Sequence, residues 1–507
     1  MSAANPIANI RGLTDSKDCI AILSTLSVLG SRDGPFTTDK LDQLLSAKVH
    51  FAQLLREELA TYFANSRDEE RRTASEAFAK QIQLVHSHFA SAFQRFVIRK
   101  DDWRTTAEDD IRLRMATGHA IDSFAALVKW SYFLHETLKG TSWSELHALY
   151  YLAEQHGYHH QPLDLYGKDA AYNPSIQALY LRALVLDIIN PGSLTAAQIE
   201  IAEGWLSAWC LDYTLESEFQ PRSHLIYVDL AEHAGFHMVT PAVKGDSIRY
   251  LRADALRGQI EEVKNELRQG HQYLGMGAVT DLPVEEHATL LSAIERLYNN
   301  ILAHSGNRIA ERTLVQDQTM RVVLGYDAVL QAVLVPGAST AGGLSLSLMA
   351  GSTESASETW RVHDFSASGV GLLVDRATGD VVPLQTLIAM RVSRERAWAV
   401  GTIVRKLTNR VQGQTLIGIE LLSNRALAVR LLKTGVTPYI DGLDALYLPG
   451  TDNEGKRDFL VLRQSEFAAR SVFEIPTRGT HFRVRLNRTV KKGTDWIAMR
   501  FEVDNKR

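Results

Sequence analysis

The stretch Arg361-Val-His-Asp-Phe-Ser-Ala-Ser-Gly-Val-Gly-Leu-Leu-Val374 reads as strand, tight turn, strand. Val362 lies on the incoming side, and Val370, Leu372 and Val374 alternate on the outgoing side, the period of a strand with one buried face. Between them stands Asp364-x-Ser366-x-x-Gly369. Asp and Ser side chains bond nearby backbone groups and shape turns. Gly369 allows a positive φ or the close approach of a ligand. Short polar groups and bare amides at a strand end suit a phosphate or a nucleobase edge. The bland alternative is a plain hairpin turn.

Two downstream runs extend the pattern. Trp398-Ala-Val-Gly-Thr-Ile-Val-Arg405 and Gly413-Gln-Thr-Leu-Ile-Gly-Ile-Glu-Leu-Leu422 are β-prone, and the second ends in Gly418-Ile419-Glu420-Leu421. Together with the Asp/Asn-x-Ser-x-x-Gly turn, these residues resemble the PilZ domains, bacterial receptors for cyclic di-GMP, over roughly residues 320–432. The resemblance implies a β-barrel, a closing helix over Asn424–Lys433, and cyclic di-GMP as ligand, with Asp364, Ser366 and Gly369 contacting it. It also implies an Arg-x-x-x-Arg pair before the first strand. Arginine forks bond guanine O6 and N7 or phosphate oxygens in pairs, which lysine does less well. Arg308-Ile-Ala-Glu-Arg312 has that spacing, with Arg312 52 residues before Asp364; Arg321 lies closer to where the second arginine would fall, with Asp317 and not arginine four residues before it. Arg308, Arg312 and Arg321 are therefore the candidate arginines, with a solvated helix end as the alternative for the first two.

The chain of 507 residues is long enough for two to four domains. At 45% hydrophobic and 22% charged residues it has the composition of a globular protein. Cys19 and Cys210 form no visible disulfide or zinc pattern, which fits a reducing compartment. The N-terminus lacks a basic region followed by an apolar core, and no run of about 18 apolar residues occurs. A cytoplasmic protein without a membrane span is expected. Charge is unevenly spread: residues 301–507 carry 27 Lys and Arg against 20 Asp and Glu, or +7, and the remainder 28 against 39, or −11. A basic C-terminal part facing an anion is one reading of this asymmetry, and a solvated basic β-surface the other.

Residues 1–300 read almost entirely as helix. Leu41, Leu44, Leu45, Ala52, Leu55, Leu59, Tyr62 and Phe63 fall three, four or seven apart behind a Thr38-Asp39 start. Trp143, Leu146 and Tyr150 have the spacing of a tetratricopeptide-like helix, but no period of about 34 residues recurs. Leu225–Val228 and Gly235–Val239 predict a short β insertion within residues 222–240, and Gly306 a domain boundary. Strands are expected at Met320–Leu324, Val329–Val335, Val381–Val392, Trp398–Arg405 and Leu416–Leu422, with a long Gly/Ser-rich hairpin over Pro336–Ser357. Further strands follow at Asp458–Leu462, Ser471–Ile475, His481–Leu486 and Trp496–Val503.

No enzyme signature accompanies these elements. His156, His159 and His160 cluster without His-Glu-x-x-His or Cys-x-x-Cys, and neither Gly-x-Ser-x-Gly nor a phosphate loop is present. Trp205 and Trp209, four apart, have core spacing. Arg478, His481, Arg483, Arg485, Arg488, Lys491 and Lys492 sit with Phe482 and Trp496, a pattern that could suit single-stranded nucleic acid or the acidic helical part. Nucleic acid is not the expected partner.

The sequence thus predicts a multidomain α+β chain. Its parts are a helical domain over 1–305, a PilZ-like β-barrel over 306–435, and a β-meander or second small barrel over 440–507. The expected function is a non-enzymatic cyclic di-GMP effector, without cofactor or metal, whose helical domain binds a protein partner. The alternative is a degenerate scaffold that binds a protein and no nucleotide.

Overall fold

The computed structural model describes residues 5–506 apart from 14, 67–70, 139, 168–172, 190, 222, 239–242, 270–283, 303–312, 316, 335–356, 367, 393–396, 410, 434–441, 451–457, 467–470 and 478–479. Two compact units meet in sequence between Asn307 and Arg308. The architecture is multidomain α+β, as the sequence predicts.

The first unit contains α1 (Ser16–Leu29), α2 (Thr38–Ser66), α3 (Arg72–Ile98), α4 (Lys100–Trp103), α5 (Ala107–Phe133), α6 (Gly140–Gln155), α7 (Ile176–Ile188) and α8 (Ala196–Trp209). The strands β1 (Thr214–Glu216), β2 (His224–Asp229), β3 (His237–Met238) and β4 (Ile248–Arg252) follow, then α9 (Leu256–Arg268) and α10 (Val284–Leu302). Both α5 and α7 are buried on most of their faces and form the centre of the unit. Thr106 opens α5 with a capping box to Asp109, satisfying amides that would otherwise lack partners. Thr37 rather than Thr38-Asp39 supplies the side chain at the start of α2, accepting from Lys40 N–H at 3.4 Å. Trp205 and Trp209 are buried and stacked, 5.9 Å between ring centres. The expected β insertion is present and larger than the sequence signal: β1-β4-β2-β3 form one antiparallel sheet.

The helical core also holds charge. Lys48 Nζ lies 3.2 Å from Asp122 Oδ2, and Arg182 Nη2 lies 2.9 Å from Asp122 Oδ1. Arg182 Nε then meets Glu203 at 3.3 Å, and Lys129 meets Glu203 at 3.4 Å and Glu200 at 2.9 Å. Cations and anions alternate along this chain through α2, α5, α7 and α8, and it is neutral as a whole. Burial opposes ionisation of Asp122, but Lys48, Arg182 and the Tyr166 hydroxyl hold its carboxyl far below the usual range.

The second unit contains β5 (Thr313–Leu314), β6 (Thr319–Leu324), α11 (Tyr326–Leu334), β7 (Glu358–Ser366), β8 (Gly369–Asp375), α12 (Arg376–Val381), β9 (Leu387–Val392), β10 (Ala399–Asn409) and β11 (Gln414–Ser423). Their antiparallel pairings run β7-β6-β9-β10-β11-β8 and return from β8 to β7, closing a six-stranded ring, with β5 added beside β7. Trp360, Val362, Leu372, Ile388, Ile403 and Ile417 fill its interior. A second closed barrel follows, β12 (Leu427–Lys433), β13 (Gly442–Leu448), β14 (Phe459–Arg463), β15 (Val472–Thr477), β16 (Thr480–Lys492) and β17 (Trp496–Lys506), in the order β12-β13-β14-β17-β16-β15.

Three expected elements are corrected. Asn424–Lys433 holds no closing helix: Leu427–Lys433 is a strand that pairs with β13 and β15, so the second barrel begins before residue 440. Val329–Val335 is no strand; its described part lies in α11. A short apolar run fits a buried helix as well as a strand. Here Gly325, at φ +84°, turns the chain, and the Asp495 carboxylate accepts the Tyr326 N–H that opens the helix. Of Val381–Val392 only Leu387–Val392 is strand: Val381 ends α12, which Asp375 caps through Thr378 N–H at 2.9 Å, and a turn precedes Leu387. The predicted hairpin over Pro336–Ser357 lies, except for Ser357, outside the described residues. Among the described residues no helix is long and apolar enough to cross a membrane.

Candidate functional site

The turn that organises the sequence reading joins β7 to β8. Ser366 pairs with Gly369, and the Ser366 hydroxyl donates to the Gly369 carbonyl at 3.3 Å. Of the two properties Gly369 offers, close approach is the one used. A β-carbon there would stand 2.5 Å from the Ile419 carbonyl oxygen, and its φ is not among the positive ones.

Strict alternation from Trp360 and Val362 would send Asp364 into the barrel. A β-bulge prevents this. Val362 pairs with Leu372, but Asp364 pairs with Gly371, so one extra residue on β7 reverses the facing. Val370, Leu372 and Val374 are the inward residues of β8, which places Gly371, and Asp364 opposite it, on the outer face. The Asp364 carboxylate lies over Gly371, with Oδ1 2.8 Å from where a β-carbon would be, and is only 7% exposed. His363 Nδ1 is 3.0 Å from its Oδ2.

A second bulge does the same on β10. Ile403 pairs with Ile419 and Arg405 with Gly418. Arg405 consequently faces outward and leans over Gly418, whose missing β-carbon would lie 3.1 Å from Arg405 Cβ. Lys406 takes the inward place and donates to the Val382 carbonyl at 2.8 Å. Gly418 pairs in turn with Gly371. One row across four strands therefore reads Asp364, Gly371, Gly418, Arg405: an acid and a cation on either side of two bare glycines. The next row reads Ser366, Gly369, Glu420, Thr402.

Of the predicted site residues, Asp364, Ser366 and Gly369 come together on this face. Arg321 pairs with Thr359 and Arg391, five residues along β7 from Asp364 and roughly 17 Å away at strand spacing. Arg308 and Arg312 lie outside the described residues. The sequence reading missed Gly371, Gly418, Arg405 and Glu420 as site residues. The spacing of Gly371 from Gly369 was visible, but the bulges that gather the others carry no residue signature. A cleft of about 450 Å³ opens at the other end of the same strands, lined by Glu358, Arg361, Asp375, Thr378, Gln412 and Gln414, and includes none of the turn residues.

In chemical terms the face offers a hydrogen-bond acceptor at Asp364, a hydroxyl at Ser366 and the guanidinium of Arg405, with the Asp364 and Arg405 side chains lying over Gly371 and Gly418. The glycines let these two side chains pack close against the sheet. Among the described residues no group of His, Cys, Asp and Glu is placed to hold a metal ion.

Comparison with known proteins finds one family. Residues 15–220, within the helical unit, match the family described as "Cyclic-di-GMP receptor FimW, N-terminal domain". No curated protein and no solved structure matches the chain.

Proposed function

We propose that this chain is a cyclic di-GMP receptor of the PilZ type, binding its ligand on the outer face of the first barrel. The observation that carries the reading is the row Asp364–Gly371–Gly418–Arg405 beside the Ser366–Gly369 turn. Guanine presents donors at N1 and N2 and acceptors at O6 and N7. A carboxylate matches the former and an arginine fork the latter. The matched family supports the same ligand from a different part of the chain, since its residues 15–220 exclude the turn.

In this reading Asp364, Ser366 and Gly369 hold the ligand, together with Arg405. Arg308 and Arg312 are the arginines that clamp it from the segment joining helices to barrel, and Arg321 is the more distant candidate. The helical unit receives the signal and passes it to a protein partner. The protein acts by binding rather than catalysis, and works in the cytoplasm, where two buried free cysteines stay reduced.

Isothermal titration of the purified chain with cyclic di-GMP tests this. Saturable heat with micromolar or tighter affinity is expected. No heat at tens of micromolar ligand would overturn the receptor reading and leave a protein-binding scaffold.

A further inference from the structure

The two barrels of the second unit share one apolar layer. Val323, Tyr326, Leu387 and Val400 meet Leu446, Val461, Trp496 and Ala498 there. The tip of the β16–β17 hairpin is pinned to the first barrel. Trp496 Nε1 donates to the Gln385 carbonyl at 2.9 Å, and Asp495 accepts the Tyr326 N–H at 2.9 Å. The residues leading into that tip therefore have a fixed place beside the first barrel.

Lys491 is one of them. Thr489 pairs with Met499, an interior residue of the second barrel, so alternation would turn Lys491 inward as well. A register shift intervenes, and Lys491 pairs instead with Ala498, which belongs to the shared layer. Lys491 thus points at the first barrel, where its Nζ lies 2.6 Å from Glu420 Oε2. Glu420 stands directly across from Gly369. A cation of the second barrel is held one strand away from the turn, by an acid that is half open to water.

An ion pair so exposed exchanges readily with another anion. A phosphodiester oxygen arriving at the turn carries the charge that Glu420 now supplies. We propose that Lys491 is a ligand-binding residue of the turn site. Glu420 holds it while the site is empty, and it passes to a phosphate of the bound dinucleotide. Glu420 is then an internal competitor, occupying the cation and repelling the incoming anion. The C-terminal barrel becomes one wall of the site rather than a separate module. The proposal rests on the cyclic di-GMP reading.

The two partners give it a signed test. In titrations of the full chain with cyclic di-GMP, Lys491→Ala weakens binding about tenfold, the loss of roughly one charge-assisted contact. Glu420→Gln tightens binding several-fold, and Lys491→Arg keeps most of the affinity. The salt dependence of binding is shallower in Lys491→Ala than in the parent. A bridge that merely ties the barrels together loosens in both variants, and cannot move affinity in opposite directions. Parent-like binding by Lys491→Ala, or weaker binding by Glu420→Gln, overturns the proposal while the receptor reading stands. A parent that takes up no cyclic di-GMP overturns both.

Discussion

Asp364 lies directly across from Gly371, and its Oδ1 stands 2.8 Å from the point a β-carbon on Gly371 would occupy. The carboxylate keeps its place only because that carbon is missing. In Gly371→Ala one of the two must move, and the flexible side chain moves more cheaply than the strand. We expect cyclic di-GMP affinity to fall about ten- to a hundredfold, comparable to the loss of one charge-assisted contact at roughly 1.5–3 kcal/mol. Asp364→Ala should lose a similar amount. If Gly371→Ala binds like the parent while Asp364→Ala does not, the contact across the strands is incidental.

Arg405 leans over Gly418 from the other side of the row. Its planar fork can meet two acceptors at once, whereas a lysine presents a single point charge. Arg405→Lys should therefore weaken binding nearly as much as Arg405→Ala, again about tenfold or more. Titration of both variants checks this, and a lysine that restores full affinity would assign Arg405 to charge alone.

The fold was largely legible because its signals are local. The helices of the first unit follow from apolar spacing, and β7, β8, β10 and β11 from alternation around the turn. What stayed hidden depends on register. Period-two reading from Val362 turns Asp364 inward, and from Ile403 it turns Arg405 inward. Each is redirected by one extra residue in its strand, which no residue type announces. The run at Val329 could not be told from a strand by periodicity, and the group that accepts the first N–H of its helix, Asp495, is far away in sequence. The ion chain of the helical unit was hidden too. Lys48, Asp122, Lys129, Arg182, Glu200 and Glu203 each look like solvated helix residues until four helices bring them together.

That chain predicts a large effect of breaking it once. Asp122 carries Lys48, Arg182 and Tyr166 together. Asp122→Asn leaves the buried Lys48 facing a neutral amide, while Arg182 keeps Glu203. Removing one partner from a buried ion pair typically costs about 3–5 kcal/mol. Urea denaturation, followed by the helical circular dichroism signal, should place the Asp122→Asn midpoint well below the parent's. A shift worth under about 1 kcal/mol would mean that water or repacking compensates Lys48.

The same region sets a pH dependence. His86 and His119 are buried, and neither ring nitrogen of either has a hydrogen-bond partner among the described residues. His86 sits edge-on to Phe51, and His119 stacks on Phe93 at 5.2 Å. Burial, with Lys48 adding to it, pushes His119 down to about 3, and burial holds His86 well below its ordinary value. Both rings are then neutral in the folded protein at pH 7. Unfolded, they titrate near 6.5, so below that pH the unfolded chain binds protons that the folded chain refuses. Stability is unaffected by them above about 6.5 and falls as pH drops toward the folded values. Each histidine contributes a slope of up to about 1.4 kcal/mol per pH unit. The loss from Asp122, whose carboxyl is held low, begins only below about pH 4, so the two windows separate. Denaturation at pH 7, 6 and 5 should show steadily falling stability in the parent. The pH 7 to 5 difference should shrink by about 1–2 kcal/mol in His119→Phe, which keeps the stacked ring and removes the titration. An unchanged difference in that variant would mean that His119 is protonated in the folded state.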